Sequence, residues 1–249
     1  MTVNADVTRW APLLVDTMRQ AGVPESQIPT AVALSLSLIR YESQGNPEAV
    51  HTSGNNPTGA YGLTQQLKKW HPQHKGDPRA HLQHYANRYW TNVKPSGAAA
   101  GHPVSFLQAW ASGSGNLYEF VKTGNIPDRA KGFMFRQMRN VQNMSSGSTW
   151  RDYSSWVHGW INAGQPTRTT TIGNRRIETA QHSVPSAAPL ASPYDGYLRW
   201  RGKSRKVGEQ GPGGVTGLLA GFSSGSGQTM KLVTVLLLMT GAFLLWRSS

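Results

Sequence analysis

The stretch that most restricts the fold is an apolar run ending in a carboxyl group. From Pro29 to Glu42 the chain reads PTAVALSLSLIRYE, with Val32, Leu34, Leu36, Leu38, Ile39 and Tyr41 spread over most of a helical circumference. Such a pattern predicts a helix buried in a core. Pro29 suits a first-turn position, and Gly45 is a natural stop. Glu42 then falls in the last turn, where the helix dipole disfavours negative charge. Desolvation acts in the same direction and raises a carboxyl pKa. A carboxyl kept protonated near neutral pH can act as a general acid.

Two motifs lie at and beyond this helix end. Glu42-Ser43-Gln44-Gly45-Asn46-Pro47 is followed by Gly59-Ala60-Tyr61-Gly62-Leu63-Thr64-Gln65. In this order they resemble the first two motifs of the soluble lytic transglycosylase (SLT) family, enzymes with a goose-lysozyme-like fold that cleave peptidoglycan glycan strands. Ala109-Trp110-Ala111-Ser112-Gly113-Ser114-Gly115 resembles a third motif, with Trp for the usual Tyr and Ala for Asn. Tyr153, in Thr149-Trp150-Arg151-Asp152-Tyr153, matches a fourth. The resemblance covers roughly residues 8 to 163. It implies that Glu42 is the catalytic acid, that Gln65 and the backbone near Leu67 hold an N-acetyl group, and that Ser43 supports the local geometry. It also implies that Trp110 and Tyr153 line the sugar cleft. The loop between the first two motifs is long, so a donor assisting Glu42 could be Thr52, Ser53 or Thr58. The implied chemistry uses one carboxylate and needs neither metal nor cofactor.

The 249-residue chain can hold one substantial domain with extensions. It has no Cys, which excludes disulfides, thiolate ligands and thiol nucleophiles. A first helix is expected where Trp10, Leu13, Leu14, Thr17, Met18 and Ala21 recur before Gly22, packed under the Glu42 helix. Asp77-Pro78 predicts another start, with Leu82, Tyr85, Ala86, Tyr89 and Trp90 on its inner face. His71, His74, His81 and His84 form two i,i+3 pairs, a spacing to test for zinc. Pro72 interrupts the first pair and no acidic base accompanies either, so they are read as exposed polar histidines. Three or four short helices should fill 103–163, the last aromatic-rich (Trp150, Tyr153, Trp156, Val157, Trp160, Ile161) and ending at Gly164.

Past Gln165 the texture changes to Thr, Ser, Pro, Ala and Gly, which predicts a linker. Arg199 to Lys206 is a basic cluster around Trp200, and Leu232 to Trp246 carries no charge. As a helix that span is roughly 22 Å long against a hydrocarbon core of roughly 30 Å. Snorkelling by Lys231 narrows the gap, and the adjacent basic cluster favours an anionic membrane surface over packing on protein or phosphate-by-phosphate binding of nucleic acid. The expected fold is therefore mainly α. A lysozyme-like (SLT) helical domain spans 1–164, a Gly/Ser/Pro-rich basic linker 165–228, and a single C-terminal transmembrane helix 229–247.

The net charge of +13 is densest in 165–209, with 8 Lys/Arg against 3 Asp/Glu, and implies a polyanionic partner. The amino terminus lacks a secretory signal pattern, and the basic cluster before the apolar span would keep the domain cytoplasmic. A bacteriophage protein resolves this conflict, because a virion can carry the enzyme to the wall from outside. The expectation is a virion-associated, membrane-anchored enzyme, with other virion proteins as partners; a bacterial envelope enzyme is the alternative location. The alternatives to a transglycosylase are a muramidase-type hydrolase on the same fold and a non-catalytic virion structural or wall-binding protein.

Overall fold

The computed structural model describes residues 3–51, 59–67, 74, 76–97, 102–111, 139–185 and 187–194. The order is α1 (Ala5–Thr8), α2 (Ala11–Gln20), a 3-10 turn (Glu25–Gln27), α3 (Ile28–Glu42), β1 (Val50–His51), β2 (Ala60–Tyr61), β3 (Gln66–Leu67), α4 (Pro78–Val93) and α5 (Pro103–Ala111). Helical backbone over 139–145 precedes α6 (Ser148–Asn162), and a hairpin of β4 (Thr167–Ile172) and β5 (Arg175–Ala180) follows. The architecture is mainly helical, as the apolar periodicity predicts.

Helix α3 is the axis of the core. Every residue from Ala31 to Ile39 is buried, and α2 and α6 pack against it. Two serines on this helix, Ser35 and Ser37, survive burial because each hydroxyl donates to the carbonyl four residues back, at 2.7 and 2.9 Å. Helix α2 buries Leu13, Leu14, Thr17 and Met18 and ends before Gly22, whose φ of 87° provides the expected left-handed exit. Asp77 caps α4 by accepting from the Ala80 N–H at 3.1 Å, with Pro78 in the first turn. Leu82, Tyr85, Ala86 and Tyr89 form its buried face.

The linker expectation fails for residues 165–194. The β4–β5 hairpin pairs Thr167 with Ala180 through Ile172 with Arg175, closed by Gly173-Asn174, with Gly173 at φ 59°. After it the chain lies along α6, fastened by indole N–H groups: Trp156 donates to the His182 carbonyl at 2.9 Å, and Trp150 to Leu190 at 3.3 Å. Trp160 donates to Pro166 at 3.0 Å. The physical reason is the width of the aromatic stripe on α6. One side packs on α3, and the other needs both apolar cover and acceptors for three indoles. Among the described residues no helix is long and apolar enough to cross a membrane. The expected 229–247 span, the 199–206 cluster and the rest of the linker lie outside them.

Gly159 of α6 sits directly under the arm, where a Cβ would overlap the Pro185 carbonyl. Gly159→Ala should therefore lift the arm from α6 and cost about 1–3 kcal/mol. Thermal unfolding, with limited proteolysis mapped to 181–194, reads the effect; unchanged stability and protection would show the arm to be loosely attached.

Candidate active site

The site is built at the C-terminal end of α3. Helical hydrogen bonding stops at Glu42, and the next residues turn sharply: Gln44 has φ 54° and Gly45 φ 87°. Gly45 is required twice over. Its backbone is left-handed, and a Cβ would run into the Asp6 carbonyl of α1. Its own carbonyl accepts the Trp10 indole N–H at 2.9 Å. The corner after the acid is thus clamped by the N-terminal segment.

Ser43 joins this corner to the second motif. Its buried hydroxyl lies 2.8 Å from the Leu63 carbonyl and 3.2 Å from that of Ile39, and the Gly45 N–H donates to its oxygen at 3.3 Å. Ser43 thus links the end of α3 to residue 63. Residues 62–65 are the turn of a three-stranded antiparallel sheet, in which Val50 pairs with Tyr61, and Tyr61 with Gln66. The Gly62 N–H donates to the Ala49 carbonyl at 2.8 Å. Gln65 has φ 51°, and its side-chain amide donates to Gly62 at 3.0 Å and Ala49 at 3.3 Å. Its buried Oε1 has no partner among the described residues, leaving one fixed acceptor beside the acid's corner.

Glu42 is half-buried. No side chain among the described residues pairs with its carboxyl, so burial acts unopposed and raises its pKa from the ordinary carboxylate range to about 7. Near neutral pH the group is divided between acid and base, the condition for a side chain that gives and later retrieves a proton.

The remaining expected residues divide. Trp110, on α5, donates its indole N–H to the Thr64 carbonyl at 2.9 Å and packs edge-on against Tyr85. It therefore belongs to the second-motif turn, with part of its surface open. Leu67 lies on β3 in register with Ala60. Tyr153 is placed differently from the cleft-lining expectation. It is 3% exposed, with the backbone of Asn4 bonded to its hydroxyl, and burial pushes that hydroxyl up to about 12. The close packing of α6 on α3 draws its ring into the core. Thr52, Ser53 and Thr58 lie outside the described residues, as does the Ser112–Gly115 part of the third motif.

His81 is the residue that the sequence reading placed wrongly. It is 2% exposed, not a surface histidine. Its Nε2 accepts the Thr64 N–H at 3.2 Å and lies 2.8 Å from the Thr64 hydroxyl. The ring fills the space above Gly62, where a Cβ would press into it. Gln66 donates to the His81 carbonyl at 2.9 Å and meets His74 Nδ1 at 2.9 Å. His81, Tyr85 and Tyr89 recur every four residues, so the helical period already put His81 on the apolar face. Among the described residues no cluster of three metal-ligating side chains occurs.

A groove of about 750 Å³ opens between α2, the start of α4 and β5. None of the motif residues lines it, so it is separate from the Glu42 corner. Comparison with known protein families, curated proteins and solved structures finds no match to this chain.

Two outcomes are expected. The first concerns pH. The folded-state pKa of Glu42 lies above its unfolded value, so the protonated form favours folding, and this contribution is lost as pH rises through about 7. Glu42→Gln, which stays neutral, should match wild type near pH 4 and exceed it near pH 8 by about 1–2 kcal/mol, discounted for partial exposure. Urea unfolding at both pH values reads the difference; a variant less stable at pH 8 would contradict the assigned environment. The second concerns the turn. His81→Phe leaves the Thr64 N–H without its acceptor and should cost about 1–3 kcal/mol, with faster amide exchange at Thr64.

Proposed function

We propose that this protein is a peptidoglycan lytic transglycosylase with a lysozyme-like (SLT) helical domain and Glu42 as its single acid and base. The observation that carries this reading is a carboxyl of pKa about 7, without a side-chain partner among the described residues, ending a buried helix and tied through Ser43 to the Gly62–Gln65 turn. Most glycosidases need a second carboxylate as base or nucleophile. A lyase does not, because the substrate supplies its own nucleophile.

In the proposed step Glu42 donates its proton to the oxygen linking N-acetylmuramic acid to N-acetylglucosamine, and the C1–O bond breaks. The muramyl acetamido group stabilises the cation left at C1. The Glu42 carboxylate then removes the C6 hydroxyl proton as O6 bonds to C1. A 1,6-anhydro ring forms, Glu42 is protonated again, and no water is consumed. By the resemblance Gln65 holds the acetamido group, its side-chain amide oriented by the Gly62 and Ala49 carbonyls. Ser43 holds the corner, Trp110 offers an aromatic edge to a sugar face, and the backbone at Leu67 extends the contact. The basic 199–206 cluster and the apolar 232–246 span support a place in a virion with an internal membrane. There the enzyme would open the wall locally as the genome is delivered.

Glu42→Gln should abolish clearing of purified sacculi, a loss of at least about 100-fold for a proton-transfer residue, without loss of fold. Mass spectrometry of wild-type digests should show anhydro-muramyl ends. Reducing ends would instead identify a hydrolase, and undiminished clearing by the variant would remove Glu42 from the chemistry. Wild-type activity should fall as pH rises above about 7, as the acid loses its proton.

A further inference from the structure

We propose that the edge of β5 facing α2 is a docking site for an extended peptide segment of a partner protein, one with a basic and an acidic side chain two positions apart. This inference does not rest on the catalytic reading.

The hairpin register fixes which backbone groups are available. Ile172 and Arg175 flank a two-residue turn and so form a hydrogen-bonded pair, and along an antiparallel ladder such pairs alternate with non-bonded ones. The N–H and C=O groups of Arg176, Glu178 and Ala180 therefore point away from β4. Two observed bonds agree with this phase: the Gln181 N–H donates inward to the Pro166 carbonyl at 2.9 Å, and the Ala180 N–H donates outward to the Arg9 carbonyl at 3.2 Å. The second bond also shows where this edge faces, since Arg9 leads into α2. Ala180 is thus satisfied. The outward groups of Arg176 and Glu178 have no backbone partner among the described residues.

These two residues line the groove of about 750 Å³, whose opposite wall is α2, with Leu13 and Asp16. An unpaired strand edge set into a groove is the arrangement that accepts an added strand. The occupant proposed for it is one extended chain.

Charge narrows the occupant further. Three guanidinium groups beside the groove are already neutralised: Arg19 pairs with Glu25 at 2.8 Å, Arg175 with Asp77 at 3.0 Å, and Arg79 with Asp16. A polyanion such as nucleic acid or an anionic glycan finds little free positive charge there. Arg176 and Glu178 form no salt bridge among the described residues, and at i,i+2 they project from the same face of β5. A strand added antiparallel would place an acidic residue opposite Arg176 and a basic one opposite Glu178. Its own order would be basic, any residue, acidic.

The test uses the ¹⁵N-labelled full chain and the peptide Ac-Thr-Lys-Thr-Glu-Thr-NH2. Saturable shifts of the Arg176 and Glu178 amide resonances are expected at peptide concentrations on the order of 1 mM or below, the range of a short added strand. Methylating the Lys and Glu backbone nitrogens of the peptide should weaken binding by about tenfold, since two inter-strand bonds are lost. The double charge swap Arg176→Glu with Glu178→Arg lies on an exposed strand face and should leave the fold intact. It should favour Ac-Thr-Glu-Thr-Lys-Thr-NH2 over the original by about fivefold. The proposal is overturned by absent shifts at these amides, by equal binding of the methylated peptide, or by protection of both amides from exchange before peptide is added. That last result would mean that the chain covers its own edge.

Discussion

The constraint on which the structure depends is the removal of α3 from water on nearly all sides. A helix in that position must satisfy its polar side chains internally, as Ser35 and Ser37 do, and its one carboxyl has to come where the apolar run ends. Glu42 is there. The same burial that stabilises the core deprives the carboxyl of hydration. Core packing and the raised pKa of Glu42 are two results of one desolvation. Ionising Glu42 therefore works against the fold that positions it.

Around that carboxyl the structure is held by directed bonds rather than by apolar contact. Ser43 bridges the acid's corner to Leu63, and Trp110 and His81 bond the carbonyl and the amide of Thr64. Three elements distant in sequence therefore converge on the four-residue turn ending at Gln65. A short turn between two-residue strands has little stability of its own. Its conformation, including the left-handed Gln65, follows from these external bonds.

Much of this was legible in the sequence because period and punctuation agreed. The span of α3, the Gly22 and Gly45 exits and the Asp77-Pro78 start all follow from local rules, and the burial of Glu42 follows from its place at the helix end, whereas Ser43 was singled out by the motif resemblance alone. Three features were missed for separate reasons. The hairpin at 167–180 has no apolar alternation: its strands are Thr- and Arg-rich, and only Thr179 and Ala180 are fully buried. The β-branched run and the Gly173-Asn174 pair were the remaining signal. His81 was grouped with other histidines by type, although its four-residue spacing from Tyr85 and Tyr89 assigned it to the core. Tyr153 matched a motif position, but a motif position does not say which side of a ring faces solvent. The fit of three indole N–H groups to carbonyls 6, 26 and 40 residues away is a tertiary matter that no local pattern encodes.

The contact between Gly45 and the Asp6 carbonyl bears on how the molecule assembles. Residues 4–10 form a short segment, yet Asp6 supplies the wall behind Gly45 and Trp10 the hydrogen-bond donor that holds the bend beyond Glu42. The Trp10 indole thus finds its acceptor only in a bend 35 residues further along the chain. Trimming or rebuilding that first segment would alter the bend beyond Glu42 from behind, without touching Glu42 itself.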